Sequence, residues 1–175
     1  MSIFMQPFFS LALALFLLSA EAATVLDSVV PQLSAEAKEF LDAHNWARAE
    51  VGVEPLEWSE ALAKDAGLFA RYQRDRLGCK LANFSHNKYG SNQDLGGMGW
   101  TPSVAVQDWV NEKEFYSYRT NSCVAPSFPC WHYTQVVWRK SKQVGCAQLT
   151  CVVDKLILTI CFYDPPGNIN GESPY

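Results

Sequence analysis

The chain has no cluster of basic residues. Its 14 Lys and Arg are outnumbered by 18 Asp and Glu, for a formal net charge of -4. Phosphate backbones are bound by positive patches, so nucleic acid is excluded as a natural partner. Electrostatic docking on anionic membranes is excluded for the same reason. No C-x-x-C pair occurs, and structural zinc sites usually need that spacing. There is no internal repeat and no long low-complexity segment. After the first apolar stretch, nothing resembles a membrane-spanning helix, which predicts a soluble mature chain; separately, we expect a monomer.

That first stretch, Phe8 to Leu18, is long enough for a signal-peptide core and too short to span a bilayer. No Lys or Arg precedes it. Ala20-Glu21-Ala22 has the small-x-small form of a cleavage site. We expect residues 1–22 to be a signal peptide, 23–33 a leader and 34–175 one domain, including a tail over 165–175. Six cysteines follow, all after position 78: Cys79, Cys123, Cys130, Cys146, Cys151 and Cys161. Such thiols pair where the compartment is oxidising, so we read disulfides and an extracellular location. Arithmetic alone does not choose among the pairings.

Ser34 opens a helix running to about Val51, with Phe40, Leu41, His44, Ala47 and Val51 on one face. A second helix starts at Ser59 and fades near Gly78, with Leu62, Ala66, Phe69 and Gln73 on its stripe. A third has Thr101 as cap and Pro102 at its first position, burying Val106, Trp109 and Val110. His132 to Trp138 is rich in β-branched and aromatic residues and reads as a strand. Gly145–Val153 and Lys155–Tyr163 read as two more. The last is apolar without alternation, which requires cover on both faces. The resulting fold class is α+β, an α-β-α sandwich around a central antiparallel sheet.

Four segments carry a resemblance. Ala43-His44-Asn45-Trp46-Ala47-Arg48 is similar to the AHNxxR motif of the CAP superfamily (the SCP-like domain). Pro55-Leu56-Glu57-Trp58 resembles its PLxW motif. His132-Tyr133-Thr134-Gln135-Val136-Val137-Trp138 resembles HYTQVVW, and Cys161 to Asn168 resembles CxYxPxGN. The chain looks most like plant pathogenesis-related class-one proteins. Arg71 to Asp75 and Tyr89-Gly90-x-Asn92-Gln93 resemble a pistil-type branch. The resemblance implies the same sandwich, with disulfides Cys79–Cys151, Cys123–Cys130 and Cys146–Cys161.

It also implies a cleft built from two His and two Glu. His86, Glu112 and His132 match three of those positions, and Ser91 stands where the second Glu belongs. Several members bind zinc through the histidines, which makes His86 and His132 the metal candidates and zinc the implied cofactor. Serine brings no charge, so a zinc ion would be held less well. The residues leave a second reading open: His86, Glu112 and His132 as a polar cluster tying loop, helix and strand. His44 reads as a packed core residue.

Family members bind sterols through an apolar groove, and Phe115, Tyr116 and Tyr118 are the aromatics near that region. The resemblance therefore implies a secreted, non-enzymatic plant-defence protein of the apoplast that binds a sterol or other apolar ligand. The tail, Pro165 to Tyr175, resembles a peptide released from some relatives, for which a receptor would be the partner. Before the cut, Phe162 replaces the usual Asn. A zinc-dependent hydrolase is the third reading. Asn83-Phe84-Ser85 is an N-glycosylation sequon, with Asn83 as acceptor.

Overall fold

The structure, a computed structural model, describes residues 32–124, 127 and 129–175. The chain divides between Gln32 and Leu33, and every described helix and strand belongs to the second unit, Leu33–Tyr175. The expected signal peptide, and all of the expected leader but Gln32 and Leu33, lie outside the described residues.

Helix α1 spans Ala35–Glu50, and the Ser34 hydroxyl accepts the Ala37 N–H. That bond satisfies one of the free amides at the helix start. Helix α2 spans Glu60–Leu77 with Ser59 as its cap. It stops at Gly78, which adopts the left-handed conformation (φ 65°) that glycine takes without Cβ strain. Helix α3 spans Pro102–Asn111, capped by Thr101 with proline in the first turn. A 3₁₀ turn over Glu112–Phe115 comes next.

The main sheet holds β1 (Glu57–Trp58), β2 (Gly90–Gly97), β5 (Gln143–Cys151) and β6 (Leu156–Asp164), in the order β1-β5-β6-β2. The three long strands are antiparallel, while the short β1 lies parallel to β5. The long strands form the expected antiparallel sheet, and the two-residue β1 adds one parallel pairing at its edge. A separate hairpin pairs β3 (Tyr116–Ser117) with β4 (Ser122–Cys123).

Strand β6 is buried on both faces. Leu158, Ile160 and Phe162 pack against Leu62, Ala66 and Ala70 of α2. Cys161 and Tyr163 join Phe40, Val106, Trp109 and Val110 of α1 and α3 on the other side. Helices on both faces complete the α-β-α sandwich. Helix α2 presses so closely on β5 that a Cβ at Gly145 would collide with backbone of Ser59, Leu62 and Ala63. Disulfides tie Cys79 to Cys151, Cys123 to Cys130 and Cys146 to Cys161.

One expected strand is a helix. Residues Trp131–Val136 form α4. Contacts from elsewhere override the β-propensity of these residues. Glu112 accepts the N–H groups of His132 and Tyr133 at its start, and the Cys130 carbonyl accepts that of Thr134. Tyr133 and Val136 then reach the α1–α3 core cluster. Strand β2 carries no sequence signal, because Gly-Ser-Asn-Gln-Asp-Leu-Gly-Gly is polar and glycine-rich, as an edge strand can be. Phe69, expected in the α2 core stripe, is exposed, and Ala70 takes the inward place.

Candidate functional site

Asp108 lies in α3 and Glu112 four residues on, at its end. That spacing puts both carboxylates on one side of the helix. Glu112 is anchored by what it holds. Its Oε1 accepts the His132 Nδ1–H at 2.7 Å, and its Oε2 accepts the His132 backbone N–H at 2.9 Å. A neighbouring ring supports the imidazole: Trp109 stacks on it with centroids 6.3 Å apart. The proton on Nδ1 is therefore fixed by Glu112, and Nε2 is left to other partners.

From there a buried polar chain runs into the core. Asn92 Nδ2 donates to the His132 carbonyl at 3.0 Å and to the Tyr163 hydroxyl at 3.3 Å. Tyr163 donates to His44 Nε2 at 2.7 Å, and His44 Nδ1–H donates to the Phe40 carbonyl at 2.7 Å. The carbonyl fixes a proton on Nδ1, and burial disfavours a second one, so His44 is neutral and Nε2 accepts. Burial lowers its pKa to about 4, with the Phe40 bond opposing and the Arg48 charge adding to the fall. Burial likewise holds the Tyr163 phenol well above its ordinary value.

Sequence reading missed two carboxylates here. Burial raises the Asp94 carboxyl pKa, the nearby Asp108 adds to the rise, and His132 opposes it. Asp108 had a signal, its helical spacing to Glu112. Asp94 had none, because the strand that carries it has no recognisable pattern.

Of the four cleft candidates, the structure joins Glu112 and His132. His86 is exposed in a turn closed by the Asn87 N–H on the Phe84 carbonyl. Ser91 pairs with Phe162, and cross-strand partners share a face, so Ser91 is turned toward α2 while Asn92 is turned toward His132. A zinc ion takes about four ligands. Among the described residues, three ligand-type atoms approach within 4.8 Å at His44, Cys146 and Cys161, whose sulfurs are bonded to each other. The donors gathered at His132 do not fit a zinc site.

A second feature lies beyond the 3₁₀ turn. Tyr118 and Tyr175 stack with centroids 5.2 Å apart and planes 13° apart. Tyr175 also meets the edge of Tyr116 at 6.1 Å, and its hydroxyl is 3.1 Å from that of Tyr133. Beside these rings is a hollow of about 240 Å³, lined by Tyr116, Trp131, Trp138, Ile169 and Pro174 among others. The tail is part of this wall. Gln135 Oε1 accepts the Gly167 N–H at 3.0 Å, and the Thr134 hydroxyl donates to Asn168 at 2.7 Å. Phe115, expected near the groove, is half-buried in the 3₁₀ turn. Asn83 is exposed, its Oδ1 accepting the Ser85 N–H at 2.9 Å.

A family model for the cysteine-rich secretory protein family, CAP, matches residues 41–163. The STS14 protein of Solanum tuberosum is 55% identical over 143 residues, covering 81% of this chain and 66% of that protein. The chain thus spans just under two thirds of that relative. Pathogenesis-related protein 1C of Nicotiana tabacum is 48% identical over 139 residues, 79% of this chain and 80% of that one. Among solved structures, Schistosoma mansoni venom allergen-like protein 4 superposes with a TM-score of 0.63 at 26% identity, over 82% of this chain and 95% of that one. NaASP2, solved with Zn2+, superposes at 0.64 and 21% identity, over 83% and 88%, a likeness of fold alone.

Proposed function

The chain belongs to the CAP family of cysteine-rich secretory proteins, and from that membership we propose that it is a secreted plant-defence protein that binds a sterol at its tyrosine hairpin. The observation that carries the ligand reading is the grouping of Tyr116, Tyr118 and Tyr133 beside a hollow to which Tyr116, Trp131 and Trp138 contribute rings. Apolar ligands are held by such walls, with a few polar atoms fixing orientation. Asn121, Thr134, Asn168, Asn170 and Glu172 supply polar atoms in the lining.

The mechanism is sequestration, without bond making. A sterol drawn from a competitor's membrane is lost to an organism that needs it. Pathogenesis-related names among the relatives support the defence role. Paired cysteines fit an oxidising, extracellular setting, and no described helix is long and apolar enough to cross a membrane. The exposed Asn83 would carry its glycan on the α2 side of the sandwich, where Phe84 packs on Phe162.

A titration of the purified protein with a fluorescent sterol tests the reading. We expect saturable binding, weakened roughly tenfold or more when Tyr116 and Tyr118 are both changed to Ala, given the area each ring contributes. A flat titration with the unaltered protein would remove the ligand from this reading and leave only the family assignment.

A further inference from the structure

The rings offered to a ligand are already occupied by the chain itself. Residues 169–175 cross the open side of the β3–β4 hairpin. Tyr175 covers Tyr118 face to face and Tyr116 edge on. The segment is held along its length. The Asn121 amide donates to the Glu172 carbonyl at 2.8 Å, and the Arg139 N–H donates to the Pro174 carbonyl at 2.7 Å. Arg139 Nη2 donates to Ser173 Oγ at 3.1 Å, and Lys140 pairs with the Glu172 carboxylate at 2.8 Å.

Size points the same way. The hollow measures about 240 Å³, and one of its walls is this segment, from Ile169 to Pro174. Pockets for drug-sized ligands run from roughly 300 to 1,000 Å³. As it stands, the hollow is too small to enclose a rigid four-ring lipid. Moving one wall enlarges it and frees the tyrosine faces in the same motion.

The segment is built to move as a piece. Its root is fixed, by Gln135 on Gly167 and by Thr134 and the Trp131 carbonyl on Asn168. Immediately after the root comes a tight turn, with the Glu172 N–H on the Ile169 carbonyl and Gly171 at φ 82°. Beyond that hinge the segment is held at its end by the buried Pro174 and by the Tyr175 ring, half-buried against the core cluster with its hydroxyl 3.1 Å from that of Tyr133, and otherwise by surface side chains. The Arg139, Lys140 and Asn121 bonds are all at exposed positions. Such bonds exchange readily with water, so lifting the segment costs chiefly the Pro174 and Tyr175 contacts and leaves the sheet and helices intact.

We propose that residues 169–175 are a closing strap over the tyrosine hairpin, hinged at Asn170-Gly171, and that an apolar ligand gains the hairpin only when the strap lifts. The strap acts without being cut, since its root stays bonded to α4. This regulation rests on the sterol-binding reading, and its test separates the two.

Tyr175→Ala removes the covering ring, and Tyr175→Phe keeps it. Two readouts are taken on the full-length protein: fluorescent-sterol titration, and amide hydrogen exchange over residues 116–123 compared with β5 and β6. The strap predicts that Tyr175→Ala binds sterol at least about fivefold more tightly and exchanges the hairpin amides at least about tenfold faster, with β5 and β6 unchanged. Tyr175→Phe should stay near the unaltered protein in both. Sterol binding that is equal in the unaltered and Ala proteins overturns the strap and leaves the ligand reading standing. No sterol binding by any of the three overturns the ligand reading and, with it, the gate. Unchanged hairpin exchange in the Ala variant overturns the strap whatever the titration shows. Should Tyr175→Ala fail to fold, the pair Arg139→Ala and Lys140→Ala, which loosens only surface anchors, carries the same test with a smaller expected gain.

Discussion

Glu112 binds His132 twice, one carboxylate oxygen on the ring and the other on the backbone amide. A single side chain therefore sets the tilt of the imidazole and also starts the short helix that carries it. That helix has six residues and no capping side chain of its own at Cys130. An isolated helix that short is unstable, so its geometry depends on such outside bonds.

Glu112→Gln keeps one acceptor oxygen and loses the charge. We expect a loss of about 1–2 kcal/mol in unfolding free energy, measured by urea denaturation. The His132 ring proton in NMR should broaden or shift, while signals from α2 remain in place. A variant with unaltered stability and an unaltered His132 signal would mean that the carboxylate does not position the ring.

Acid should attack the core through His44. The unfolded chain takes up this proton near pH 6.5 and the folded chain only near 4. The stability supplied by neutral His44 is complete above pH 6.5 and is lost as pH falls toward 4, up to roughly 3 kcal/mol in all. Denaturation midpoints followed from pH 7.5 to 4 should show this slope. His44→Gln should flatten it, although the variant starts less stable. A slope unchanged by the substitution would place the titrating group elsewhere.

Arg48 is a buried cation held by carbonyls. Its guanidinium donates to Glu54, Val136, Trp138 and Ser141, at 2.7 to 3.1 Å. Burial lowers its pKa only to about 10, so it stays charged at neutral pH. Arg48→Met fills similar volume and leaves those carbonyls without a donor. The expected cost is about 3–5 kcal/mol, seen as a large fall in thermal midpoint. Arg48→Lys should recover little, because an ammonium does not span the four acceptors.

Asp94 works against the fold at neutral pH. Its carboxyl pKa is raised by burial, with Asp108 reinforcing the rise. The protonated form is favoured below the unfolded value near 3.8, and that advantage disappears as pH climbs through the raised folded value. Asp94→Asn should therefore increase the thermal midpoint at pH 7 and change it little at pH 3.5. A drop at pH 7 would show that the charge is needed, as a partner of His132.

Much of the architecture was readable because its signals are local. Ser34, Ser59 and Thr101 each cap the helix that begins after it, by a bond reaching three residues ahead. Strand β6 announced its two-sided burial by lacking alternation. Residues 131–136 misled for the opposite reason. Their β-branched and aromatic content is a weak local preference, and Glu112 and the Val136 and Tyr133 core contacts come from distant parts of the chain. The cleft was only half legible. Glu112 and His132 meet, while His86 is exposed in its turn and Ser91 looks to the other face.

By itself the order of residues determined where helices begin, which strand needs cover, and which four segments mark the family. Those are properties of spacing along one stretch. What only folding decided is what the marked residues touch. Asn45 brackets Leu56 with two bonds, joining the first motif to the second. Gln135 takes the Gly167 amide, joining the third to the fourth. Tyr175 covers Tyr118 from 57 positions away (175 less 118). A hydrogen bond or a ring stack is satisfied by position in space, and no periodicity along the chain records a partner that arrives from another layer.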